Sequence, residues 1–193
     1  RAPYDAPEVV LVVDGSGSMN EPYLGAASRM DLAKRSIATI VANLPPDVNV
    51  GLVDFQSCAQ VRRQKFYSPA ERPELLGEIN GLRPFQGTPL ARSIERAGNI
   101  ASGDVETTVV IVSDGDDTCG GDPCAAARAA KAAKPKLTIN IVDLSGERGR
   151  AVVQCVAQAT GGRVLAPNTP AEVTRAMREA SRQPDMRDCP PGR

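Results

Sequence analysis

No histidine occurs anywhere in the 193 residues, and no tryptophan. The first absence removes Ser-His-Asp and Cys-His nucleophilic catalysis, together with every zinc site that needs an imidazole. Phe and Tyr number three each and aromatics make up 3% of the chain, so a core has to be built from Val, Ile, Leu and Ala. The 23 basic and 23 acidic side chains cancel, leaving no global field toward nucleic acid or an anionic membrane. No apolar run approaches the roughly 20 residues that span a bilayer, so direct membrane insertion is not expected. There is no Lys-Ser or Lys-Thr phosphate loop. Gly15-x-Gly17 fails the dinucleotide pattern, because Asn20 stands where the third glycine would be.

What remains is ample for one domain, since 41% of the residues are hydrophobic. The chain opens on Arg1 rather than Met, which points to a removed leader or to a piece of something longer. Five cysteines (Cys58, Cys119, Cys124, Cys155 and Cys189) favour an oxidising, extracytoplasmic compartment, with two disulfides and one odd thiol. Buried reduced cysteines are the plainer alternative.

Strand-length apolar runs alternate with stretches of helical period. Strands are expected at 8–13, 48–55, 60–66, 106–113, 136–142 and 163–165. Helices are expected at 29–44, 71–82, 88–101, 123–134, 148–160 and 170–181. Thr88 is placed to cap the third helix with Pro89 in its first position, and Thr169 to cap the last. The second and third strands read as a hairpin. The pattern is α/β: a doubly wound, mainly parallel six-stranded sheet with one antiparallel edge strand, flanked by helices, over residues 1–182. Residues 183–193, with three prolines and no apolar period, read as a tail or linker.

In such sheets ligands gather beyond the carboxyl ends of the strands. The first strand runs into Asp14-Gly15-Ser16-Gly17-Ser18-Met19, a carboxylate followed by two hydroxyls at alternate positions on a glycine-loosened loop. The fourth strand likewise ends in Ser113-Asp114-Gly115, which the topology brings to the same edge. Oxygen donors without His or Cys suit a hard divalent cation. Taken singly, Asp14 and Ser16 could cap a turn, and Asp114-Gly115 could be one. An EF-hand starting at Asp114 fails, since Cys119 and Ala125 occupy its glycine and glutamate positions.

Those two segments, with Gly87-Thr88-Pro89-Leu90 between them, resemble in order and spacing the three loops of a von Willebrand factor type A (VWA) domain. The resemblance spans about residues 8–180 and implies a Rossmann-like fold with a metal-ion-dependent adhesion site (MIDAS). By that resemblance the Ser16 and Ser18 hydroxyls would contact Mg²⁺ (or Mn²⁺ or Ca²⁺) directly. Asp14 and Asp114 would bind directly or through water, and Thr88 would join when a ligand engages. A partner protein's Asp or Glu would fill the open position. Asp116 and Asp117 are expected as solvated acids on the partner-binding rim.

Cys119 and Cys124 flank a short loop on that rim and could pair locally, with Cys155 an alternative partner for either and Cys58 near the same end. Zinc held by four of the cysteines is a weaker alternative, because the usual C-x₂-C pairs are missing. Two other functions compete with adhesion. One is a structural domain of a larger assembly with a non-essential metal site. The other is an Mg²⁺-dependent hydrolase, which would need a second acid where Ser16 stands.

Overall fold

The computed structural model describes residues 6–84, 86–147 and 150–182. The expected tail, and Cys189 within it, lie outside the described residues. The strands are β1 (Glu8–Val13), β2 (Asn49–Ser57), β3 (Gln60–Tyr67), β4 (Thr107–Ser113), β5 (Leu137–Asp143) and β6 (Val164–Leu165). They form one sheet in the order β3-β2-β1-β4-β5-β6. Among the described residues of this sheet, only the β2–β3 pairing is antiparallel. The helices are α1 (Arg29–Asn43), α2 (Arg72–Asn80), α3 (Leu90–Ile100), α4 (Pro123–Ala133), α5 (Ala151–Ala159) and α6 (Pro170–Ala180). This is the expected doubly wound architecture.

β1 and β4 are buried at every position, because both faces of these central strands are covered. Alternation along β1 divides the core. Val9, Leu11 and Val13 pack with Met30 and Ile37 of α1, Ile79 of α2 and Met177 of α6. Val10 and Val12 pack with Leu90 and Ile94 of α3, Ala127 of α4 and Val156 of α5. Each such buried Val, Leu, Ile or Met contributes on the order of 1.5–3 kcal/mol. The core is aliphatic, as the shortage of aromatics requires.

The strand order reverses between β1 and β4, so the crevice of a doubly wound sheet falls between their carboxyl ends. Their register pairs Val13 with Val112, and the Asp14 N–H still donates to the Val112 carbonyl at 2.8 Å. Asp14 and Ser113 are thereby fixed side by side at the mouth of that crevice.

Helix starts follow their caps where the cap is local. Ser28 accepts from the Asp31 N–H at 3.0 Å, Asp122 from Ala125 at 3.0 Å and Thr169 from Glu172 at 3.1 Å. The third helix departs from expectation. It begins at Leu90 with Pro89 in the cap position, and Thr88 lies outside it. Pro89 is itself not helical, with ψ 60°, so the helix starts one residue later than expected and the cap position falls on Pro89 rather than Thr88. Asp117 instead takes up the orphan N–H of Ala91 at 2.8 Å.

Candidate metal centre

Asp14 is 1% exposed, one residue beyond β1. Its Oδ1 accepts from the Ser16 N–H at 2.7 Å and its Oδ2 from the Ser113 hydroxyl at 2.6 Å. Burial pushes the carboxyl above its ordinary value. The hydrogen bonds from Ser113 and Ser16 pull the other way, and the neighbouring Asp114 charge adds to the rise. Gly15 is required here because a Cβ would lie 2.7 Å from the Phe55 carbonyl oxygen of β2. Without a side chain the loop can fold flat across the sheet edge.

A short 3-10 turn over Gly17–Asn20 then brings Ser18 back toward Ser16, anchored by the fully buried Met19. Ser16 precedes that turn without capping it, which leaves its hydroxyl for other work. The Ser16 and Ser18 Oγ atoms are 3.0 Å apart. Both point at one atom, Asp114 Oδ1, at 3.3 Å and 2.8 Å respectively. Three hard oxygens thus form a triangle of edges 2.8–3.3 Å. Ligands about 2.1 Å from an octahedral Mg²⁺ lie about 3.0 Å from their neighbours, so the triangle matches one face of such a shell. The donor set and its spacing fit a hard divalent cation.

Among the described residues no three or more His, Cys, Asp or Glu gather as a metal site, so any cation here depends on the hydroxyls. Thr88 is 2% exposed on the adjacent loop. Its N–H donates to the Thr118 hydroxyl at 2.7 Å, and its carbonyl accepts from the Thr118 N–H at 3.0 Å. Among the described residues it makes no hydrogen bond to Asp14, Ser16, Ser18 or Asp114. The structure therefore joins Ser16, Ser18 and Asp114 directly, ties Asp14 to them through the Ser16 N–H, and ties Thr88 to Thr118 on the loop after Asp114.

One rim expectation is revised. Asp117 is not a solvated rim acid. Its Oδ1 accepts from Cys119 at 2.8 Å and Gly121 at 3.1 Å, and its Oδ2 holds Ala91, so it clasps the Asp114 loop to the start of α3. Asp116 does face solvent but is paired with Arg150 at 2.9 Å. Arg150 also makes a two-point contact with buried Asp143 at 2.8 and 3.1 Å.

The local Cys119–Cys124 pairing is also corrected. Cys119 is bonded to Cys58 and Cys124 to Cys155, with Cα separations of 5.3 and 5.6 Å. Cys124 sits on the first turn of α4, where its partner is on the neighbouring α5. Cys119 stays on the loop beside the β2–β3 turn that carries Cys58. With those four cysteines oxidised, the zinc-thiolate alternative has no ligands left. Ser113, Thr118, Arg29, Arg150 and Asp143 were not singled out as site residues from sequence. Ser113, directly before Asp114, was the one within reach.

The von Willebrand factor type A domain profile matches residues 9–116, more than half of the chain. The chain belongs to this family, whose domains typically serve adhesion and protein binding. A curated relative, the uncharacterised protein YwmD of Bacillus subtilis, is 27% identical over 184 residues, covering 87% of this chain and 82% of its own. Among solved structures, a von Willebrand factor type A protein from Catenulispora acidiphila superposes with a TM-score of 0.77 at 20% identity, over 92% of this chain and 42% of that one. Proximal thread matrix protein 1 from the mussel byssus, with a zinc-occupied MIDAS motif, gives 0.72 at 16% identity over 92% and 45%.

Proposed function

We propose that this domain is a non-enzymatic protein-binding module whose Ser16, Ser18 and Asp114 hold a divalent cation, with Asp14 and Thr88 completing its surroundings. Mg²⁺ is the expected ion, with Mn²⁺ or Ca²⁺ as substitutes. The cation takes a carboxylate from an Asp or Glu of a partner protein. The observation that carries this reading is the triangle of three hard oxygens at octahedral spacing over the β1/β4 crevice. The occupied MIDAS of the structurally similar mussel protein supports it. Hydrolase chemistry is disfavoured by Ser16, a weak acid-base group where a second carboxylate would be needed, and by the lack of histidine.

Two disulfides support an extracytoplasmic location. Among the described residues no helix is long and apolar enough to cross a membrane. The domain could act as part of a larger chain or assembly.

The reading is tested by capturing binders from surface and secreted proteins in Mg²⁺, then repeating in excess EDTA and with Ser18→Ala. Binding should vanish in both controls, and replacing one acidic residue of the captured partner by its amide should abolish it. Binding that persists in EDTA contradicts the proposal and favours a structural domain whose loops hold one another through the Ser16–Ser18–Asp114 hydrogen bonds.

A further inference from the structure

Arg29 opens α1, and its side chain turns back over the metal loops with 15% of its surface exposed. Its Nε donates to the Leu144 carbonyl at 3.0 Å, on the loop after β5. One terminal nitrogen donates to the Ser18 carbonyl at 3.2 Å and to Glu21 Oε2 at 2.9 Å. That same nitrogen lies 3.4 Å from Asp114 Oδ2, and the guanidinium carbon stands 5.0 Å from the centre of the Tyr23 ring. The two oxygens of Asp114 are therefore divided. Oδ1 faces the Ser16 and Ser18 hydroxyls, while Oδ2 faces a permanent cation. The Asp114 side chain is itself only 1% exposed.

Resting on the reading of this cluster as a metal centre, we propose that Arg29 is its built-in counter-cation. It neutralises Asp114 whenever no ion shares that carboxylate, and it lowers the affinity for a divalent cation taken alone. Two neighbouring carboxylates, Asp14 and Asp114, are buried at the sheet edge, and a buried charge without a partner is strongly destabilising. Arg29 removes that cost at Asp114 without a metal.

The same charge repels an incoming ion. A cation on Oδ1 has to share a carboxylate that is already neutralised, so the oxygens bind it less tightly than they would unaccompanied. An arriving carboxylate offsets the accumulated positive charge. Cation and acidic partner therefore strengthen one another's binding, reciprocally. Arg29 is in this sense a positioning and tuning residue that acts through Asp114.

The test is Mn²⁺ titration of chelator-stripped protein followed by calorimetry, with melting temperatures recorded with and without the ion. It compares the wild type with Arg29→Gln, Arg29→Lys and Glu21→Gln. Arg29→Gln should bind Mn²⁺ about tenfold more tightly or better, and melt lower in EDTA with the loss recovered by Mn²⁺. Arg29→Lys, which keeps the charge, should stay within about threefold of wild type. Exposed Glu21 shares the guanidinium, so Glu21→Gln should fold normally and bind about twofold to threefold more weakly.

Arg29→Gln that binds no better than a wild type whose own binding needs Asp14 overturns the role of Arg29 alone. If Arg29→Gln does not fold, unchanged affinity in Glu21→Gln overturns it. Saturable binding in neither the wild type nor Arg29→Gln overturns the metal centre itself, and this inference with it.

Discussion

Asp14 shows how much one carboxylate at the end of a strand has to reconcile. Burial holds its carboxyl above the ordinary value, against the hydrogen bonds from Ser113 and Ser16. Without a metal, the native state then keeps a proton over a pH range where the unfolded chain has already lost it. The contribution of this group to stability therefore falls as pH rises from the ordinary aspartate value through the raised one. Thermal melts in EDTA across that range should show this slope. Asp14→Asn should lack it, and saturating Mg²⁺, which favours the anion, should flatten it. Identical profiles for wild type and Asp14→Asn would contradict the assignment.

Ser113→Ala removes a 2.6 Å hydrogen bond to the same carboxylate and should cost about 1.5–3 kcal/mol at neutral pH by chemical denaturation. Ser16 and Ser18 are legible in sequence because they alternate with glycine directly after the carboxylate that ends β1, although the oxygen they meet belongs to distant Asp114. Ser113 and Arg29 act on carboxylates far away along the chain, and spacing carries no sign of that. Thr88 is legible as a site residue, but its exclusion from the cap is not, because the same Thr-Pro pair does open α6 at Thr169-Pro170 and only the backbone angle at Pro89 separates the two cases.

At the scale of elements, the loops carrying Asp114 and Thr88 are shaped by links between segments. Gly87 has φ +80°, and a Cβ there would lie 2.9 Å from the Cys58 sulfur. The residue before Thr88 is thus a glycine because the Cys58–Cys119 bridge passes against it. That bridge spans 61 residues, a closed loop worth about 4 kcal/mol in the chain-entropy picture. Replacing Cys58 and Cys119 by Ser together should lower stability by about 2–4 kcal/mol in denaturant melts, and a loss below 1 kcal/mol would count against it.

Asp117→Ala strips the acceptor from three backbone N–H groups and should destabilise more than Asp117→Asn, which keeps one oxygen. The central strands β1 and β4 were legible because an apolar run buried on both faces needs no context. The disulfide pairing was not, because it depends on α4 lying beside α5 and on the β2–β3 turn reaching the Asp114 loop.

For the whole molecule, the strand order does the assembling. Asp14 and Asp114 meet because β1 and β4 are parallel neighbours at the point where the winding reverses, a consequence of alternating β and α segments that the sequence pattern already contained. The antiparallel β3 closes one edge and the two-residue β6 the other, leaving the carboxyl end of the sheet as the face where chemistry-bearing loops converge. The account stands or falls on whether that face holds a cation. The most direct measurement is calorimetric titration of Mg²⁺ and Mn²⁺ into chelator-stripped wild type, Asp14→Ala and Asp114→Ala. The account predicts one saturable site per chain in the wild type and none in either variant. Equal binding by all three proteins would contradict it.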